Sequence, residues 1–149
     1  MNNKIRLSLI IALSVVVLDQ ITKYLARTHI GAYESIELLP MLNLVNVQNR
    51  GAAFGMFSSF GNIFFICISV AALIFMSWII IKDREDHRIF ALLAGGAAGN
   101  LIDRLTLGYV VDFVDVAVAG HHWPAFNVAD SALSIGMVFM ALSILRKTR

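Results

Sequence analysis

Cysteine is nearly absent from the chain. The one thiol, Cys67, lies inside the apolar run Phe64-Phe65-Ile66-Cys67-Ile68. A disulfide framework and a cysteine metal site are therefore excluded, and Cys67 reads as a packed or lipid-facing residue. Charge is also scarce, at 15% of 149 residues with a net charge of +2. No basic face interleaved with aromatics occurs, so nucleic acid is not expected as a partner. No repeat, low-complexity tract or linker divides the chain, and residues 1–149 read as one domain.

Apolar residues make up 58% of the chain and gather in four blocks, at about 5–25, 63–81, 89–107 and 128–145. As helices, blocks of about 18–21 residues span roughly 27–32 Å, the thickness of a hydrocarbon core. A bilayer leaves unpaired backbone groups no partner, so helix is the expected state. The first block begins after Lys4 and Arg6, as a secretory signal would. Asp19-Gln20 and Lys23-Tyr24 stand where a small-residue cleavage site would be, so the block reads as an uncleaved helix. The expectation is a bundle of four transmembrane helices with a small β element.

Lys4, Arg6, Lys82, Arg84, Arg88, Arg146, Lys147 and Arg149 all fall at one end of such a bundle. That bias puts both termini in the cytoplasm. Two segments are left on the outer side. In residues 26–59, Leu42–Gln48 follows Pro40 with partial alternation and reads as a short strand, and the small residues of Asn49-Arg50-Gly51-Ala52-Ala53-Phe54-Gly55 permit close backbone approach. In residues 108–125, Tyr109–Val116 alternates apolar and acidic residues and reads as a second strand. The two are expected to pair in a small outer sheet. The acids of the loop 82–88 read as a solvated face.

Acids and amides stand where a lipid-facing helix would not carry them: Asp19, Asn100, Asp103, Arg104, Asp112 and Asp130. Such residues are costly in a bilayer and mark function or internal pairing. At 1.5 Å per residue, Asp19 lies about 9 Å inside the outer end of the first helix, and Asn100, Asp103 and Arg104 about 4–10 Å inside that of the third. Asp130 falls in the first turn of the fourth helix, and Asp112 just beyond the third. All the polar groups thus lie in the outer third, and the inner halves are plain hydrocarbon. A transporter or proton-coupled protein, the main rival reading, would need polar steps across the full thickness.

Asp19 and Lys23, four apart, share a helix face and could be a structural ion pair. Asn100, Asp103 and Arg104 also share a face, behind the close-packing stretch Gly95–Gly99, and an Asp103–Arg104 network would satisfy them internally. Asp130 could simply decorate a helix amino end, and Asp112 could be a solvated strand residue. If Asp112 and Asp130 face each other, they can share a proton and act as acid and base on a peptide carbonyl. Ser131 or Ser134 with Lys23 would make a serine–lysine hydrolase, but helix serines usually bond their own backbone. His121-His122 lacks further ligands at suitable spacing and reads as a loop pair.

Five strings in this order resemble the signal peptidase II family of bacterial lipoprotein signal peptidases: Asp19–Lys23, Asn49–Phe54, Gly95–Arg104, Val111–Phe113 and Phe126–Asp130. The resemblance spans nearly the whole chain. It implies an intramembrane aspartyl endopeptidase of the bacterial inner membrane, with Asp112 and Asp130 as the catalytic dyad. It implies that Asn49, Asn100, Arg104 and Asn127 line or order the site, with Asp19, Lys23, Gly51, Asp103 and Ala129 in support. The substrate would be a diacylglyceryl-modified prolipoprotein, cut on the amino side of its lipidated cysteine near the outer leaflet. Membrane lipid is the other expected contact. No metal or cofactor is implied, and a monomer is expected. The implied fold adds a short outer helix, near Asn62 or within the first loop.

Overall fold

The structure, a computed structural model, describes residues 3–32, 34–51, 58–82 and 86–147. Four α-helices form the bundle: α1 (Asn3–His29), α2 (Gly61–Lys82), α3 (His87–Thr106) and α4 (Val128–Lys147). They match the four apolar blocks, each running one to four residues further at one end or both, apart from a one-residue retreat at the end of α3. One 3₁₀ turn, Ser58–Phe60, leads into α2. It stands where an outer helix near Asn62 was expected, as a single turn. The motif residues Ala52, Ala53 and Phe54, with Gly55, Asp83, Arg84 and Glu85, lie outside the described residues.

Three helices, α1, α2 and α4, are long and apolar enough to cross a membrane. Their outward faces carry Leu13, Val17, Ile63, Ile74, Val138 and Ile144, all at least half exposed. No aqueous protein would leave so much apolar surface open. α3 differs because it is the centre: it packs against each of the other three helices. Gly96 and Gly99 make this possible. A Cβ at Gly96 would come within 2.6 Å of the Ala129 carbonyl oxygen, and one at Gly99 within 2.6 Å of an Asp19 carboxylate oxygen. Toward the other end, Met76 and Ile79 of α2 pack on Phe90, Leu93 and Ala97 of α3.

The sheet is antiparallel, in the order β1 (Ser35–Leu39), β2 (Leu42–Asn49), β3 (Val110–Val118) and β4 (His121–His122). The two expected strands are β2 and β3, and they pair, with Val47 opposite Asp112 and Asn49 opposite Val110. β1 and the two-residue β4 were not foreseen. Gly108, at φ 82°, ends α3 and turns the chain into β3, a backbone conformation that glycine adopts without a Cβ clash. β3 is buried from Val110 through Phe113, because the bundle covers it. The sheet sits at one end of the helices. The start of α1, the start of α3 and the last turn of α4 share the other, where the Ser8 hydroxyl reaches the His87 carbonyl.

Candidate active site

The start of α4 organises the site. Its first N–H groups need partners. Asn127 precedes the helix, and its Oδ1 accepts the Asp130 N–H at 2.8 Å, while Asp130 Oδ2 accepts the Asn127 N–H at 3.3 Å. This is a reciprocal capping box. The intervening Ala129 N–H donates to Asp19 Oδ1 of α1 at 2.8 Å. The capping role considered for Asp130 is therefore real, and it aims the carboxylate as well as closing the helix.

Asp112 arrives from β3. Asp103 Oδ2 on α3 accepts the Val111 N–H at 2.9 Å, which pins the strand one residue before Asp112. Side chains alternate along a strand, so Asp112 and Asp115 point to opposite faces. Asp115 meets Asn43 and His122 at the far side, with His122 Nδ1 2.8 Å from Asp115 Oδ2. Asp112 turns into the bundle, where Asn127 Nδ2 donates to Oδ1 at 2.7 Å and Asn49 Nδ2 to Oδ2 at 2.9 Å. Asn127 thus touches both acids. Burial, then the negative charge of Asp130, push the Asp112 carboxyl up to about 7, against the donor bonds of Asn49 and Asn127 and the charge of Lys23.

Asn100 is oriented by Lys23. A lysine ammonium only donates, so the Asn100 oxygen must face Nζ, at 2.9 Å. The amide's NH₂ then points to Asp130 Oδ1, at 2.8 Å. Lys23 also bridges Asp19 at 2.8 Å and Asp103 at 3.2 Å, all three nearly or fully buried. The ion pair expected of Asp19 and Lys23 is present, joined by a second acid. The internal Asp103–Arg104 network is not how these two are satisfied. Adjacent helix positions diverge by about 100°, so Asp103 turns to α1 and β3 while Arg104 turns to the cavity.

Arg104 donates from Nη2 to the Gly51 carbonyl at 2.8 Å, and its guanidinium lies 4.2 Å over the Phe65 ring. Nη1 is buried without a hydrogen-bond partner among the described residues. Asn62 Nδ2 caps the Arg104 carbonyl at 2.8 Å. A cavity of about 700 Å³ opens here, walled by Asn49, Gly51, Asn100, Arg104 and Asp130 on its polar side and by Phe65, Trp123 and Phe126 among its apolar residues. Asp130 lies on the cavity wall. Asp112 stands just behind it, 1% exposed, with Asn49 across its outer oxygen.

Of the residues expected at the site, Asn49, Gly51, Asn100, Arg104 and Asp130 line this cavity, Asp112, Asn127 and Lys23 each bond to one of these, and Asp19, Asp103 and Ala129 stand behind them. Gln20 was overlooked, although it donates to Asp103 at 2.9 Å and to Asp19 at 3.2 Å. Its place beside Asp19 in an apolar block was the available signal. Phe65 and Asn62 gave none, being ordinary residues of a membrane-length helix. The serine–lysine alternative fails on geometry: Ser131 Oγ donates to the Asn127 carbonyl at 2.9 Å, and Lys23 is taken up by two acids and an amide.

Fold and site together define a membrane protein with two carboxylates held by amides in one cavity at the sheet end of a helical bundle. The family model for signal peptidase II matches residues 11–146. A lipoprotein signal peptidase of Thermodesulfovibrio yellowstonii is 48% identical over 133 residues, covering 89% of this chain and 90% of that protein. One from Geobacter metallireducens is 42% identical over 149 residues, covering 95% and 91%. A solved bacterial membrane enzyme structure superposes with a TM-score of 0.87 at 39% identity, covering 95% of this chain and 88% of that one. The chain belongs to the signal peptidase II family and is an aspartyl peptidase of that kind.

Proposed function

We propose that Asp112 and Asp130 are the catalytic pair with which this chain removes signal peptides from prolipoproteins, cutting on the amino side of a diacylglyceryl-modified cysteine. The observation that carries this reading is Asn127. One side chain donates to Asp112 and accepts from the Asp130 backbone, which joins two acids from different elements at one cavity.

The pair holds one proton. It rests on Asp112, whose carboxyl is pushed up to about 7. Negative charge at Asp130 meets the amino end of α4, where the helix dipole favours an anion. Asp130 takes a proton from a water as its oxygen bonds to the scissile carbonyl carbon, and Asp112 gives its proton to the carbonyl oxygen. The tetrahedral diol then collapses. Asp130 passes its proton to the amide nitrogen as the C–N bond breaks, and Asp112 recovers the hydroxyl proton. Arg104 holds its positive charge at the polar wall of the cavity, where the substrate backbone would lie. The other residues hold this pair: Asn49 and Asn100 donate to it, Asp19, Lys23, Asp103 and Ala129 fix the helix ends, and Gly51 anchors Arg104.

The same reading makes α3 a fourth span, since its 20 residues thread between three helices of membrane length. Eight cations at the chain-end side support both termini in the cytoplasm of a bacterial cell and a site near the outer leaflet of the inner membrane. A lipid-modified cysteine would lie at that depth with its signal helix beside the bundle, and one copy supplies the whole site. The test is cleavage of a diacylglyceryl-modified precursor by purified protein. Asp112→Asn and Asp130→Asn should each abolish turnover while retaining a cooperative melt. Turnover at the unsubstituted rate in either variant rules out the pair.

A further inference from the structure

Beyond its buried part, β3 turns back through β4 and runs on to Asn127. We propose that His122, clasped to Asp115, is a positioning residue that sets the cavity wall formed by Trp123, Pro124 and Ala125, and so governs how tightly substrate binds, a role that rests on Asp112 and Asp130 being the catalytic pair.

Alternation decides which way each side chain points. His122 pairs with Ala117, and the Trp123 N–H bonds to the Val116 carbonyl at 2.8 Å. Neighbours on a strand face opposite sides. His122 thus lies on the Asp115 face, where its Nδ1 stands 2.8 and 3.0 Å from the two carboxylate oxygens. A carboxylate only accepts, so Nδ1 carries the proton and donates it. Trp123 lies on the other face, where it walls the cavity with Pro124, Ala125 and Phe126. Asp115 is buried and takes a second bond, from Asn43 Nδ2 of β2 at 2.9 Å. The clasp therefore ties the hairpin to the middle of the sheet.

The backbone closes this hairpin weakly. β4 has two residues, both exposed. Its turn needs left-handed backbone at Ala119 (φ 50°) and Gly120 (φ 80°), which only the glycine adopts freely. Past Trp123 the chain leaves β3. Pro124 and Ala125 make no backbone hydrogen bond among the described residues, and Pro124 has no N–H to give. Phe126 rejoins β3, exchanging bonds with Val114 at 2.8 and 3.0 Å and accepting the Phe113 N–H at 3.0 Å. Two residues, Pro124 and Ala125, thus stand opposite one, Asp115, as a bulge over the cavity. The three bonds at Phe126 separate Asn127 and the two acids from motion at His122. Releasing the clasp lowers the fraction of molecules with the wall in place. That weakens binding and leaves the chemical step alone.

Substitution of His122 tests this, because its side chain is 62% exposed and little packing is lost. Asparagine offers an NH₂ close to where Nδ1 stands, and alanine offers no donor. With a diacylglyceryl-modified precursor, His122→Ala should raise KM roughly fivefold with kcat kept, the weight of one hydrogen bond. His122→Asn should restore KM. Trp78 and Trp123 are the two tryptophans, so fluorotryptophan in a Trp78→Phe background gives one fluorine resonance, at position 123. It should shift or broaden in His122→Ala and return in His122→Asn, with no turnover required. An unmoved resonance overturns the clasp. A moved resonance with unchanged KM, or a fall in kcat alone, overturns its role in binding. Turnover retained in Asp112→Asn strikes the carboxylate reading instead and leaves the fluorine result standing.

Discussion

Asp112→Asn should stabilise the protein at high pH and destabilise it at low pH. The Asp112 carboxyl ionises at about 7 in the fold against 3.8 in the open chain. Between those values the native state binds more protons than the unfolded state, so stability falls as pH rises from about 4 to 7. Above pH 8 the accumulated penalty is about 4 kcal/mol, at about 1.4 kcal/mol per pH unit. An asparagine escapes that penalty but has one oxygen and one NH₂, whereas Asn49 and Asn127 both donate to Asp112. One donor then meets a donor, which costs about 1–3 kcal/mol at any pH. For a cost of about 2 kcal/mol the two effects cancel near pH 5. The assay is the difference in melting temperature between Asp112→Asn and the unsubstituted protein, followed from pH 4 to pH 8 in neutral detergent. Groups not coupled to Asp112 cancel in the difference. It should be negative at pH 4 and positive at pH 8. A difference constant across that range would refute the claim that burial and Asp130 hold Asp112 protonated.

Three further outcomes test how the site is held. Gly99→Ala should cost about 1–3 kcal/mol and lower turnover, because its methyl meets the Asp19 carboxylate 2.6 Å away; thermal melts and cleavage rates check it together. Lys23→Met strands Asp19 and Asp103 as buried anions and should cost about 3–5 kcal/mol, part of which a second change, Asp103→Asn, should restore in the same melt. Asn127→Ala removes a helix cap, about 1 kcal/mol, and a donor that holds the Asp112 carboxyl down. Its kcat/KM profile should fall in height, with the alkaline limb moved to higher pH because the proton on Asp112 is held more tightly.

Much of the fold was legible because the constraints are local. Length and hydropathy mark the helices, and the alternation around Asp112 marks β3. β1 could not be read: its five residues are all exposed and its only recommendation is pairing with β2. α3 was read as a helix like the others, yet it is the packed centre, a role its glycines hinted at through close approach. An Asp103–Arg104 network was one reading of these two, because both share a helix face with Asn100. The helix turns them to different sides, and each finds a partner some distance along the chain.

The sequence by itself determined which residues are too polar for lipid, which stretches are helical and which family strings are present, since each depends on a few adjacent side chains. Only the tertiary structure decided what those residues do to one another. Asp112 and Asp130 are 18 positions apart on a strand and a helix, and one buried amide, Asn127, bonds to both. Lys23 orients Asn100 from 77 residues away, and Asp19 closes a helix that begins more than a hundred residues later. Hydrogen bonds act over about 3 Å, so such partnerships exist only once the helices have packed.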